Sequence, residues 1–225
     1  MTFILVILTV AIVICIELLL KSQERRANTY SELVTEHPTS FEVFDRYFHP
    51  GHTWALISGP RNIIVGIDDF SSRMVGAVAK IDLPGVGQLI HQGEPLTLLR
   101  NGARVLAQVS PISGKVVEVN KRLRRHPELL NESPLERGWI AKIVPTNLET
   151  DLRNLLKGFA ADGWRDAVHA QLIQLFSPRI GIVLQDGGQP IQNLGDYLSD
   201  DEWNRLVQQF FPTVPPNQKQ NKLIN

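Results

Sequence analysis

The chain has 225 residues, and its 23 lysines and arginines balance its 23 aspartates and glutamates, so it has no net formal charge. This length allows one domain of about 100–150 residues with appendages. The absence of a basic excess argues against nucleic acid as the main partner. Because Cys15 is the single cysteine, an intramolecular disulfide and a cysteine metal site are excluded. The histidines show no short metal-ligand spacing, so no metal is expected.

The first predicted element is a transmembrane anchor over residues 1–21, because residues 2–20 are almost entirely apolar. At about 1.5 Å per residue, a helix of this length spans the hydrocarbon core of a bilayer. A cleaved signal peptide is the alternative. However, no basic residue precedes the run, the run is long for such a signal, and no small-residue cleavage site follows it. Glu17, the one ionisable residue in the run, is expected at the interface or against a partner helix.

The segment after the anchor predicts the orientation of the chain in the membrane. Lys21, Arg25 and Arg26 flank only the C-terminal end of the apolar run, so the positive-inside rule places the soluble part in the cytoplasm. Residues 22–49 are predicted to form a linker and a short helix, since Phe41, Phe44 and Phe48 have helical spacing.

From residue 52 to about residue 144 the pattern changes to short strands separated by glycine, proline and other turn residues. Strands are predicted at residues 54–57, 63–67, 75–81, 95–100, 103–109, 115–119 and 139–143, with short helices at 68–73 and 127–131. Such spacing is typical of a small β-sandwich or barrel. Asn101-Gly102 stands between two of the strands and predicts a hairpin with a type I′ turn.

After Pro145 the apolar spacing becomes helical, and residues 158–211 are predicted to form a helical extension. Gly163 is expected to interrupt the first helical run, and a strand is expected at residues 180–184. Ser199 and Glu202 form a capping box that predicts a last helix. Trp164 and Trp203 are expected to anchor the core of the extension, with an interface role as the alternative. Residues 212–225 form a polar tail.

One basic run stands out, at residues 121–126 (KRLRRH). Charge runs of this kind are usually solvated or interface surfaces. The alternative is a site for an anionic partner or a lipid headgroup.

The middle of the chain, about residues 50–157, resembles the glycine cleavage system H-protein family. The motifs that carry the resemblance are, in chain order, residues 52–54 (HTW), 65–70 (VGIDDF), 83–87 (LPGVG), 110–120 (SPISGKVVEVN), 127–134 (PELLNESP) and 138–140 (GWI). The resemblance implies a lipoyl-type barrel-sandwich of two small sheets, mainly β with added helices. It also implies carriage rather than catalysis: in the family, a lysine at a hairpin tip holds lipoate, which travels between partner enzymes.

The family's lysine position falls on alanine here. Counted back from Ser110-Pro111, the family's Glu-Ser-Val-Lys-Ala falls on residues 100–104, which read Arg-Asn-Gly-Ala-Arg. Ala103 has no amine to form an amide with lipoate or biotin, and the guanidinium of Arg104 is a poor acyl acceptor because it stays protonated. Lys115 lies beyond the following turn and is not expected to substitute. No cofactor is therefore expected.

These features lead to the hypothesis of a non-lipoylated, non-catalytic H-protein homologue that acts as an accessory or scaffold subunit of a membrane complex. Its expected partners are other subunits and the bilayer, without a small-molecule substrate. The candidate partner-binding surface is the hairpin tip, formed by Arg100, Asn101, Gly102, Ala103 and Arg104. A lipoyl-type carrier of glycine cleavage or one-carbon metabolism is the alternative.

Two further functions are disfavoured by the sequence. A periplasmic efflux adaptor would insert a long helical hairpin between the halves of the barrel, where this chain has only Asn101-Gly102. An enzyme would need a nucleophile with its base or paired acids, and no such set occurs at a recognisable spacing.

Overall fold

The computed structural model describes residues 46–59, 61–176, 184–185, 189–190 and 194–211. The strands are β1 (Arg46–His49), β2 (Thr53–Gly59), β3 (Asn62–Ile67), β4 (Lys80–Asp82), β5 (Leu89–Ile90), β6 (Pro95–Asn101), β7 (Arg104–Val109), β8 (Gly114–Val119), β9 (Ala141–Pro145), β10 (Leu184–Gln185) and β11 (Gln189–Pro190). The α-helices are α1 (Asp69–Val75), α2 (Leu129–Glu132), α3 (Leu148–Leu152), α4 (Phe159–Leu175) and α5 (Asp200–Phe210). Two 3₁₀ helices span Lys121–Arg124 and Leu194–Tyr197.

The strands form one larger and one smaller antiparallel sheet, with β10 and β11 as a separate pair. The six-stranded sheet has the order β1-β2-β3-β9-β8-β5, and the three-stranded sheet has the order β4-β6-β7. The described part of the chain is thus mainly β with added helices, as the sequence predicts.

One large hydrophobic cluster joins the two sheets and the helices. It contains fully buried residues from the large sheet (Ile63, Ile143), from the small sheet (Leu99, Leu106) and from the C-terminal region (Leu172, Leu206). Apolar side chains from two sheets that share one core define a sandwich.

Both ends of helix α1 are capped by residues with the appropriate chemistry. The Asp68 side chain accepts a hydrogen bond from the backbone N–H of Ser71, and Gly76 ends the helix with φ 80°. A positive φ favours glycine, because side chains clash in this conformation. The predicted strand at residues 75–81 is therefore wrong over most of its length, and only Lys80–Asp82 forms β4.

The predicted short helix before the barrel is wrong at Phe48. Phe48 lies in β1 and pairs with Trp54 of β2. Its side chain is buried with those of Trp54 and Ala161. Phe48 is therefore apolar because it faces the core from a strand, and not because it belongs to a helix.

The helical break in the C-terminal region lies earlier than predicted. Helix α3 ends at Leu152, and α4 begins after Gly158, which has φ 56°. Gly163 lies inside α4, where a side chain would meet open space, so the prediction of a break there is wrong. The Ser199–Glu202 capping box of α5 is confirmed.

Several predictions fall on residues that the structure does not describe. These are residues 2–20 with Cys15 and Glu17, the linker up to residue 45, residues 180–183 of the predicted strand, and the tail 212–225. Among the described helices, none is both long and apolar enough to span a bilayer.

Candidate functional site

The hairpin of β6 and β7 carries the candidate site, and its turn differs by one residue from the prediction. Asn101 pairs with Arg104, so Gly102 and Ala103 are the two turn residues. Gly102 has φ 57°, whereas Ala103 does not have a positive φ. A positive φ only at the first turn position is typical of a type II′ turn, while type I′ requires it at both. Ala103 therefore stands in the exposed turn itself.

Arg100 faces the neighbouring strand β4. Its Nε donates to Asp82 Oδ2 at 2.8 Å, and Lys80 Nζ lies 3.6 Å from Asp82 Oδ1. The hydrogen bond from Arg100 lowers the pKa of the Asp82 carboxyl below its usual value. The guanidinium of Arg100 is thus held within the small sheet.

Asn101 and Arg104 contact the chain's own C-terminal region. Asn101 Nδ2 donates to Asp196 Oδ1 at 2.9 Å and to the Val75 carbonyl oxygen at 3.0 Å. Arg104 Nη2 donates to the carbonyl oxygen of Leu198, and the guanidinium lies 5.2 Å from the centroid of the Trp203 ring. Such a cation–π contact stabilises a guanidinium that is partly removed from water.

The C-terminal region is fixed beside the hairpin by its own packing. A side chain at Gly195 would meet the Met74 carbonyl oxygen at 2.6 Å, so only glycine allows the 3₁₀ helix to approach α1 this closely. Beyond it, Trp203, Leu206 and Phe210 form the buried face of α5 and belong to the main core. Trp203 is therefore a core residue, as predicted.

The five residues of the predicted tip surface consequently have different surroundings. Gly102 and Ala103 are exposed, while Arg100, Asn101 and Arg104 are half-buried and bonded within the chain. The exposed Gly102-Ala103 turn lies near the 3₁₀ helix Leu194–Tyr197, because the neighbouring Asn101 bonds to Asp196, and Tyr197 of this helix is 57% exposed.

A second polar cluster, which the sequence does not indicate as a site, surrounds His52. Its Nδ1 lies 2.8 Å from Asp68 Oδ2, and both side chains are at most 2% exposed. The ring stacks on Phe70 with centroids 4.3 Å apart, and Trp164 and Phe211 pack nearby. The sequence signals for this pair are the acidic cap before α1 and the motifs at residues 52–54 and 65–70, which contain the two residues.

The His52–Asp68 pair lines a cavity of about 240 Å³ between the start of α1 and α4. A histidine oriented by a carboxylate acts as a general base when a nucleophile, a water or a substrate proton lies within hydrogen-bond reach of its second nitrogen. The nearby hydroxyl of Ser71 instead donates to the His52 carbonyl oxygen and lies 3.1 Å from Gln108 Oε1. This arrangement caps α1 and joins it to β2 and β7. No metal-ligand cluster occurs among the described residues.

Two antiparallel sheets over one core, with a two-residue hairpin turn in the smaller sheet, are consistent with a barrel-sandwich domain of the lipoyl type. The family model described as glycine cleavage H-protein matches residues 46–163, more than half of the chain. The chain therefore belongs to the glycine cleavage H-protein family. The matched residues begin at β1 and end within α4, so the rest of the C-terminal region lies outside the match.

Individual relatives agree with the family match. A protein named probable glycine cleavage system H protein from Thermococcus kodakarensis is 40% identical over 110 residues, which cover 49% of this chain and 81% of the relative. A glycine cleavage system H protein of Thermus thermophilus is 32% identical over 127 residues, covering 56% of this chain and 95% of the relative. A crystal structure of the Mycobacterium marinum H protein is 27% identical, with a TM-score of 0.43, and covers 46% of this chain and 85% of its own.

Proposed function

We propose that this chain is an H-protein-family member that carries no lipoate and acts as an accessory or scaffold subunit of a membrane complex. The observation that supports this most directly is the exposed Ala103 in the hairpin turn, where the family's lysine would stand. A methyl group cannot form the amide that attaches lipoate, so the tip lacks the chemistry of carriage.

The surroundings of the tip offer no simple replacement. Arg104 is engaged with Leu198 and Trp203, and no lysine lies between Lys80 and Lys115 in the sequence. Lys80 lies opposite Arg100 on the adjacent strand, with its side chain 71% exposed. It stands on a strand rather than in a turn, and its ammonium is paired with Asp82.

The membrane part of the proposal rests on the apolar run at residues 2–20 and on the basic residues that follow it. A retained anchor would confine the domain to the bilayer surface, where a scaffold subunit would meet membrane partners.

A lipoyl-type carrier in glycine cleavage is the second candidate, and the names of the relatives favour it over a membrane accessory role. This function requires lipoate on a lysine other than the residue at the tip. Among the lysines on the described strands, Lys80 has the position nearest to the tip in the sheet register.

The intact mass of the full chain, purified from cells that lipoylate an authentic H protein, separates the two candidates. We expect the mass of the unmodified polypeptide. A lipoyl adduct would overturn the proposal, and its loss in a Lys80→Arg variant would assign the carrier residue. Arginine keeps the charge beside Asp82 but is not acylated.

The scaffold role has its own test. In mild detergent the chain should co-purify with other membrane proteins in a complex that survives size-exclusion chromatography. An unmodified chain that elutes as a monodisperse monomer, without partners, would leave the non-lipoylated assignment intact and contradict the scaffold role.

A further inference from the structure

The 3₁₀ helix after β8 carries a basic surface outside the hairpin tip. We call this surface, formed by Lys121, Arg122, Arg124, Arg125 and His126, the basic patch. All five side chains are exposed, while Leu123 between them is fully buried. Within the described part of the chain, these five residues alone line a surface hollow of about 560 Å³. Each side chain that lines the hollow therefore carries a cationic group or an imidazole on an aliphatic stem.

The local structure holds the patch in a fixed conformation. Leu123 anchors the 3₁₀ helix in the core, and the buried Asn120 caps it by accepting from the backbone N–H of Arg122. The Asn120 amide in turn donates to the carbonyl oxygens of Arg137 and Trp139 at 2.9 and 2.8 Å. The cations therefore lose little backbone conformational entropy when a ligand binds.

The lysine and arginine side chains of the patch differ from most others in the described part of the chain, because they form no ion pairs. Arg73, Lys142 and Arg165 each form an ion pair with a nearby carboxylate. Lys121, Arg122, Arg124 and Arg125 form no ion pair with any described residue; the one acid at the patch, Glu128, pairs with His126. Adjacent like charges repel each other, and bound anions would relieve that repulsion.

A second hollow extends the patch toward the small sheet. It has a volume of about 420 Å³ and lies between β4 and Arg124, with Lys80 and Asp82 among the residues in its wall. Asp82 pairs with Lys80 and Arg100, and Arg124 lines both hollows, so the two hollows together form an elongated surface. An elongated ligand would fit this shape better than a compact ion.

We propose that the basic patch binds an acidic segment of a protein partner, with the guanidinium groups of Arg122, Arg124 and Arg125 pairing with carboxylates. Arginine suits this role because its planar fork binds a carboxylate through two hydrogen bonds. The patch has no exposed apolar side chain that would enter a bilayer, so a lipid surface would be held there by charge alone. This inference deepens the proposed scaffold role and rests on it, while the mass measurement is independent of it.

The test uses the full chain in mild detergent and a short fluorescent oligoglutamate peptide, with binding measured by anisotropy as a function of salt. Arg122→Glu with Arg125→Glu reverses charge at two exposed positions of the patch. Lys115→Glu with Arg205→Glu makes the same change in net charge at exposed positions outside it. We expect the patch variant to weaken binding about tenfold and the control variant by less than about twofold. Circular dichroism confirms that both variants fold.

Equal weakening by both double variants, or no peptide binding even at low salt, would overturn the proposal. A lipid site is distinguished by adding phosphatidylserine or phosphatidylcholine to the micelles. If only phosphatidylserine displaces the peptide from the unmutated chain, the patch is a headgroup site and the assignment to a protein segment is wrong.

Discussion

At the scale of single residues, the positions on either side of Ala103 make contacts within this chain. Arg100 pairs with Asp82, Asn101 bonds to Asp196 and Val75, and Arg104 bonds to Leu198. Ala103, whose side chain has no polar atom, makes no side-chain hydrogen bond. Arg100, Asn101 and Arg104 are thus held by the small sheet, by α1 and by the C-terminal region.

His49 gives a pH-dependent prediction at the same scale. Burial lowers the pKa of its imidazole, and its Nδ1 accepts a hydrogen bond from the backbone N–H of Gly51 at 2.9 Å. Nδ1 accepts only when it is unprotonated, so the folded state holds His49 neutral. The unfolded chain takes up the proton at a higher pH, near its ordinary pKa of 6.5. Stability should therefore fall as pH decreases below about 6.5, by at most about 1.4 kcal/mol per pH unit for this group.

Urea unfolding between neutral and mildly acidic pH measures this effect. A His49→Asn variant keeps an acceptor that can reach the Gly51 N–H, as asparagine does in Asx turns, but does not titrate. Its free energy of unfolding should depend less on pH than that of the unmutated chain. Equal slopes for the unmutated chain and His49→Asn would contradict the assignment.

At the scale of elements, the sequence predicts those whose signals are local. The acidic cap before α1, the capping box of α5 and the hairpin around Gly102 follow from side chains within three or four residues. The helical spacing of the phenylalanines predicts the wrong element for Phe48. Its strand is stabilised by pairing with β2 and by burial against Ala161, and neither contact is local in the sequence. The contact of the hairpin tip with the C-terminal region is not predictable either, because Asn101 and Asp196 are 95 positions apart in the sequence.

The contact between the hairpin and the C-terminal region yields a prediction for two neighbouring arginines. Arg104→Ala removes the bond to Leu198 and the cation–π contact with Trp203, and should cost about 1–3 kcal/mol. Arg100→Ala, in the same hairpin, removes an ion pair with 38% of the arginine side chain exposed, and should cost less than about 1 kcal/mol. Hydrogen exchange should accelerate in residues 194–211 only for Arg104→Ala. Similar acceleration in both variants would show that Arg104 does not hold this region.

At the scale of the whole molecule, the residues beyond the family match complete the core of the barrel. Leu194, Leu206 and Phe211 belong to the same cluster as Ile63 and Leu99 of the two sheets. The Phe210 ring lies 5.3 Å from that of Phe70 on α1. Since one cluster joins them, the sheets, α4 and α5 should unfold together. The C-terminal region is then an integral part of the domain, and releasing the hairpin from it would require partial unfolding.

Two phenylalanines of the C-terminal region test this integration. Phe210 is 3% exposed, whereas Phe159 at the start of α4 is 92% exposed. Phe210→Ala should cost about 3–5 kcal/mol, because it removes a buried ring and leaves a cavity. Phe159→Ala should change stability by no more than about 0.5 kcal/mol. Denaturant unfolding, followed by tryptophan fluorescence and by circular dichroism, should show one coincident transition that shifts only for Phe210→Ala. If the two probes separate, with α5 melting before the sheets, the C-terminal region is an independently detachable cap rather than part of the core.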